Sequence, residues 1–123
     1  MHSSPMKPIR SMMFVPGNKA NMIEKAAASK ADTLILDLED SVPADLKVEA
    51  RGIVKSKLGW LAEQKQRIWV RINRSAHLYD FDDILAIVSP LVEGIVISKP
   101  CGPEDIHTVS CMLAEAECRA GVP

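Results

Sequence analysis

Thr33-Leu34-Ile35-Leu36-Asp37-Leu38-Glu39-Asp40-Ser41-Val42-Pro43 is the stretch that decides how this chain folds. Thr33 to Leu38 is a short apolar run carrying a β-branched residue at Thr33 and Ile35, which suits a strand covered on both faces. Acids follow at once, at Asp37, Glu39 and Asp40. Strand alternation places Asp37 and Glu39 on one face and Asp40 in the turn. Ser41-Val42-Pro43 then opens a helix whose apolar residues, Leu46, Ala50, Ile53, Val54, Leu58 and Leu61, recur at helical spacing.

The same unit repeats on either side. Upstream, Met12-Met13-Phe14-Val15 is an apolar run broken by Pro16-Gly17-Asn18. Asn18 is a good N-cap for a helix with Met22, Ile23, Ala26 and Ala27 inward. Downstream, Ile68–Ile72 is a third run, followed by a helix marked by Phe81, Ile84, Leu85 and Val88. Gly94–Ile97 is a fourth run. Gly102-Pro103 starts the last helix, with Pro near its first position and Ile106, Val109 and Leu113 inward. Gly121 and Pro123 supply the stop.

Four strand–helix units with nearly continuous apolar strands imply a parallel sheet with right-handed crossovers. Two folds accommodate them: a small open doubly wound sheet, or the N-terminal half of a (β/α)8 barrel. The strand order separates the two, 1-2-3-4 for the barrel and 2-1-3-4 for the open sheet. Residues 1–9 read as a flexible lead-in and 10–123 as one partial barrel domain, truncated before a fifth strand. Half a barrel would leave apolar strand residues accessible, with Val15, Leu36, Val70 and Val96 as candidates.

Composition narrows the function classes. Fifteen basic and sixteen acidic residues give a net charge of -1, so no electrostatic footprint points to nucleic acid or an anionic membrane. The apolar runs are too short to span a bilayer, and Met1–Pro8 has no apolar core of a secretory signal. Cys101, Cys111 and Cys118 form no CxxC pair, which fits free thiols in a reducing cytoplasm or mitochondrial matrix. His2, His77 and His107 lack ligand spacing. Trp60, Trp69 and the methionines read as packing residues. Lys55, Lys57, Lys65 and Arg67 read as a solvated helix edge.

In parallel α/β folds, ligands bind at the carboxyl ends of the strands. That rim collects Pro16-Gly17-Asn18, then Asp37, Glu39 and Asp40, then Arg71, Asn73 and Arg74, then Ser98-Lys99-Pro100. Carboxylates there suit a divalent cation or its water shell, and an arginine offers a planar fork for a carboxylate. The plainer alternative is that the acids cap the second helix or pair with Arg71 and Lys99. Arg71, set among Ile68, Trp69, Val70 and Ile72, must meet an acid or a ligand, because an unpaired buried guanidinium is costly. Nucleotide-binding glycine loops, metalloprotease HExxH and the GxSxG elbow are absent from the sequence.

Several segments together resemble the citrate lyase β-subunit-like (HpcH/HpaI aldolase) family. They are Arg10-Ser11-Met12-Met13-Phe14-Val15-Pro16-Gly17-Asn18, Lys25-Ala26-Ala27-Ala28-Ser29 with Ala31-Asp32, Leu34–Val42, Val70-Arg71-Ile72-Asn73 and Gly94–Lys99. The resemblance implies a TIM barrel and a magnesium-dependent carbon–carbon lyase. Its substrates would be coenzyme A thioesters such as citryl-CoA or malyl-CoA, split into acetyl-CoA and a 2-oxo acid. Aspartate at position 40 is similar to the CoA-ester branch, where the related diacid aldolases carry histidine. By the resemblance, Asp37, Glu39 and Asp40 are catalytic, Arg71, Asn73 and Lys99 bind substrate, and Pro16, Gly17 and Asn18 bind the cofactor portion. The direct magnesium ligands would come from fifth and sixth strands, so the expectation is that this chain alone does not complete the metal site. The complete protein would be a homo-oligomer. The competing expectations are a non-catalytic truncated homologue that joins a full-length partner, and a receiver-like signalling domain.

Overall fold

The computed structural model describes residues 7–29 and 31–122. The expected lead-in falls largely on residues 1–6, and part of the stop signal on Pro123, both outside the described residues. Of the rest of the lead-in, the Pro8 carbonyl accepts a hydrogen bond from Arg67 Nη1 at 3.3 Å.

Four strands alternate with four helices: β1 (Met12–Pro16), α1 (Ala20–Ala27), β2 (Thr33–Asp37), α2 (Lys47–Glu63), β3 (Arg67–Ile72), α3 (Phe81–Ile87), β4 (Val92–Ile97) and α4 (Pro103–Ala120). All pairings are parallel and the order is β1-β2-β3-β4. That order is the barrel arrangement, in which each right-handed crossover moves one strand onward. It rejects the doubly wound sheet, which needs the chain to reverse across β1. The chain is therefore an α/β unit made of four consecutive βα units of a TIM-type barrel.

The register fixes what each face carries. Val15, Leu36 and Val70 lie side by side and are buried in the core with Ile23, Ala50, Val54, Leu58 and Leu61 from the helices. The expectation that these three valine and leucine positions are accessible is wrong, because this is the helix-covered face. Both faces are apolar, so the sequence pattern did not say which one the helices would take. The opposite face carries Phe14, Ile35, Trp69 and Gly94 in line. Phe14 there is 51% exposed and Met12 47%. A Cβ on Gly94 would stand 2.5 Å from the Trp69 ring, so only glycine lets the indole lie flat across β4.

Helix boundaries depart from expectation where capping does. Lys19, not Asn18, precedes the first turn of α1, and no side chain caps it. Pro43 leads into a single 3-10 turn, Ala44–Leu46, before α2 begins. Asp80 caps α3 by accepting from the Asp83 amide at 3.1 Å. Gly121, at φ 68°, ends α4 in the left-handed conformation that glycine adopts without strain. Ile106, expected inward, is 62% exposed on α4, whereas Val109 is buried. Arg67 belongs to β3, where it grips Glu93 at 2.8 Å, and is not part of a helix edge.

Candidate functional site

The β2 and β3 register places Asp37 directly beside Arg71 at the carboxyl ends of their strands. Arg71 Nε donates to Asp37 Oδ1 and Nη2 to Oδ2, each at 2.8 Å. Asp37 also receives the Glu39 amide at 2.9 Å, the Ser41 amide at 2.9 Å and the Ser41 hydroxyl at 2.6 Å. Two carboxylate oxygens offer about four lone-pair sites, and these donors fill them. Asp37 is 1% exposed. Burial works against its ionisation, but the hydrogen bonds from Arg71 and Ser41 prevail and hold its carboxyl well below the usual carboxylate range.

Arg71 is fixed in a second direction. Phe14, on the same sheet face, stacks against the guanidinium with 4.4 Å from Cζ to the ring centroid. Asp37 occupies the Nε–Nη2 edge of the fork, and Nη1 meets no acceptor among the described residues. The Nη1–Nη2 end of a planar, permanently charged group is thus presented at the rim with its orientation set.

Glu39 and Asp40 stand beside this pair. Lys99, at the end of β4, donates to Glu39 Oε2 at 2.9 Å and lies 3.5 Å from Asp40 Oδ1. Glu39 Oε1 is buried, 3.7 Å from Arg71 Nε, and has no hydrogen-bond partner among the described residues. Asp40 is held below the ordinary carboxylate value, first by its contact with Glu39 and then by the charges of Lys99 and Arg71. The Lys99 ammonium is pushed up by its bond to Glu39. The structure thus brings Asp37, Glu39, Asp40, Arg71 and Lys99 together.

The other expected residues are placed differently. Asn73 is buried away from this group: its backbone and side-chain N–H groups both donate to Asp83 Oδ2 at 2.8 Å. It anchors the β3–α3 connection to α3, with Arg51 of α2 donating to the other Asp83 oxygen at 3.0 Å. Gly17 donates to the Asp37 carbonyl at 2.7 Å, and a Cβ there would stand 2.6 Å from that oxygen. Pro16 ends β1 level with Asp37. Asn18 Oδ1 is buried without a hydrogen-bond partner among the described residues.

Sequence reasoning missed three residues that build the site. Phe14 could have been found by alternation, since it shares the face of Arg71. Ser41 stands in the sequence as a helix opener, a pattern that carries no sign of its two bonds to Asp37. Lys47 gave no signal: its ammonium ties down the carbonyls of Leu38, Glu39 and Val42 at 3.2, 2.8 and 3.1 Å, which shapes the acidic loop.

Among the described residues, no three Asp, Glu, His or Cys side chains converge to hold a cation. Asp37 is saturated, Glu39 is shared with Lys99, and Asp40 is exposed. These residues do not fit a direct magnesium site.

A barrel-type α/β sheet with an arginine and carboxylates gathered at the strand carboxyl ends places the chain in the class of parallel α/β folds whose ligand sites lie at that rim. The chain belongs to the HpcH/HpaI aldolase/citrate lyase family, whose match spans residues 10–122. It is 33% identical over 109 residues to a (3S)-malyl-CoA thioesterase of Cereibacter sphaeroides, covering 88% of this chain and 38% of that protein. It is 33% identical over 117 residues to a citrate lyase subunit beta-like protein of Deinococcus radiodurans, covering 92% and 41%. An L-malyl-CoA/beta-methylmalyl-CoA lyase of Cereibacter sphaeroides is 33% identical over 116 residues, covering 92% and 36%. The chain thus spans about two fifths of the length of these relatives. Among solved structures, a Haloferax volcanii malate synthase in a magnesium/glyoxylate complex superposes with a TM-score of 0.82 at 19% identity, over 94% of this chain and 39% of that one. That likeness concerns the fold.

Proposed function

We propose that this chain carries the acid-binding rim of a carbon–carbon lyase that splits a 3-hydroxyacyl-CoA, such as citryl-CoA or malyl-CoA, into acetyl-CoA and a 2-oxo acid. The observation that carries the reading is the outward Nη1–Nη2 end of the planar Arg71 guanidinium, oriented by Asp37 on its other edge and by Phe14 against its face. A substrate carboxylate accepts two parallel hydrogen bonds from such a fork.

In cleavage the 3-hydroxyl loses its proton, the carbon–carbon bond breaks, and its electron pair moves onto the acetyl-CoA enolate, which is then protonated. Glu39 Oε1, buried and without a donor among the described residues, would accept the hydroxyl hydrogen. Lys99 lies against both Glu39 and Asp40, at 2.9 and 3.5 Å, and Arg71 Nε stands 3.7 Å from Glu39. Asp37 acts through Arg71 and not on substrate, because its lone pairs are filled. Pro16, Gly17 and Asn18 form the adjoining edge, where Asn18 Oδ1 would accept an N–H or O–H from the thioester portion. Magnesium belongs to the family resemblance, and its direct ligands would lie outside this chain. Homo-oligomerisation of the complete protein and a cytoplasmic or matrix setting belong to the same proposal. No helix among the described residues is long and apolar enough to cross a membrane.

A second reading, a non-catalytic homologue that joins a longer partner, is favoured by the exposed Met12 and Phe14 face. Titration with a 2-oxo acid, followed by the NMR shift of the Arg71 Nε–H, separates the two from each other when paired with a coupled assay for released acetyl-CoA. Saturable binding that disappears in Arg71→Lys supports the acid-binding rim, and acetyl-CoA release supports catalysis. Equal binding by both proteins would refute the role given to Arg71.

A further inference from the structure

Lys99 is one of two described residues other than glycine with a positive φ, at 50°. The other, Lys65, closes α2, where the amide of Lys65 bonds back to Ala62 and that of Gln66 to Leu61. A left-handed residue is ordinary at a helix end. Lys99 has no such excuse: it lies between β4 and α4, and the strain must be held by its neighbours.

Those neighbours bracket it. Before it, the Ser98 carbonyl accepts from Tyr79 Oη at 2.7 Å, and the Ser98 hydroxyl donates to the Ile72 carbonyl at 3.2 Å. On it, the Lys99 carbonyl accepts from Arg74 Nη1 at 3.3 Å. After it, the Cys101 amide donates to Asp105 Oδ2 at 2.7 Å. Arg74 Nη1 also donates to Tyr79 Oη at 3.1 Å and Asp105 Oδ2 at 2.9 Å. Three side chains, two from the β3–α3 connection and one from α4, thus grip the backbone on both sides of one strained residue. None of them touches Glu39 or Asp40. The Lys99 side chain does, although it is 71% exposed and its long stem would otherwise sample many rotamers.

We propose that Arg74, Tyr79 and Asp105 are positioning residues, which hold the Lys99 backbone left-handed and so deliver its ammonium onto Glu39. The device couples the β3–α3 connection to the β4–α4 connection. It rests on the rim being the reacting centre, but its test does not require substrate. Without the clamp the backbone at Lys99 relaxes to negative φ, the Cα–Cβ direction turns, and the ammonium leaves the carboxylates.

The experiment is an NMR titration of the folded chain with 13C-labelled lysine, following Lys99 Cε, with Glu39→Gln to assign the carboxylate's effect. The parent Lys99 should titrate above the ordinary lysine range. In Tyr79→Phe and in Arg74→Met the titration should fall back to that range, as in Glu39→Gln. The Arg71 Nε–H signal should stay where it is, since the Asp37 pair lies outside the clamp. An unchanged Lys99 titration in both variants overturns the proposal. So does loss of the Lys99 and Arg71 signals together in both, which would make these residues supports of the fold and not of Lys99. Failure of the parent chain to bind a 2-oxo acid, with an intact Lys99 response, would count against the proposed function and leave the clamp standing.

Discussion

Replacing Asp37 by asparagine tests the pair on which the rim is built. The substitution keeps size and one acceptor but puts an NH2 where Oδ2 now receives Arg71 Nη2, the Ser41 amide and the Ser41 hydroxyl. Donor then faces donor, and Arg71 keeps its charge without a partner in contact. Breaking a buried pair by removing one member costs about 3–5 kcal/mol. The Arg71 side chain retains 21% exposure, so water recovers part of that loss and the lower end, about 3 kcal/mol, applies. This is a large share of a stability of about 5–15 kcal/mol. With a urea dependence of about 1.5 kcal/mol per molar, the unfolding midpoint should fall by about 2 M. The loss has a pH signature. The folded-state pKa of Asp37 is depressed, so its contribution is fully present above the unfolded value of about 4 and disappears as pH falls through the lower folded value. The difference between parent and Asp37→Asn should be constant from about pH 5 to 8 and shrink in stronger acid. Urea unfolding followed by circular dichroism at several pH values measures both. A midpoint shift below about 0.3 M at neutral pH, or a difference that grows on acidification, would refute the account of the pair.

Arg71→Lys should weaken binding of a 2-oxo acid by about ten- to a hundredfold, since the loss of a charge-assisted bond is worth about 1.5–3 kcal/mol, and calorimetric titration reads it. Ser41→Ala removes one donor from Asp37 and should cost about 1 kcal/mol while raising the pH of acid unfolding; no change in the acid limb would count against Ser41. Gly17→Ala forces a methyl to 2.6 Å from the Asp37 carbonyl and 2.9 Å from Val54, and should destabilise by about 1–3 kcal/mol, measured by thermal unfolding. Met12 and Met22 are both 47% exposed, so the chain should self-associate in sedimentation, and a Met12→Gln, Met22→Gln double variant should shift it toward monomer.

The sequence by itself determined the alternation of four strands and four helices, because apolar runs bounded by Pro, Gly and acids change period wherever the chain turns. It also determined that Arg71 needed an anionic partner, since a guanidinium between Val70 and Ile72 has no other stable setting. Its motifs carried the family. Only the tertiary structure decided the strand order, and with it the barrel arrangement, because local periodicity carries no information on which strands are neighbours. Only the structure decided that Val15, Leu36 and Val70 face the helices while Phe14 and Trp69 do not, because both strand faces are apolar. Asn73 and Arg71 lie two positions apart in sequence, yet one is tied to Asp83 behind the sheet and the other to Asp37 at the rim. Those bonds depend on groups 10 and 34 positions away along the chain, which meet only when the β2–β3 register is set and α3 has docked.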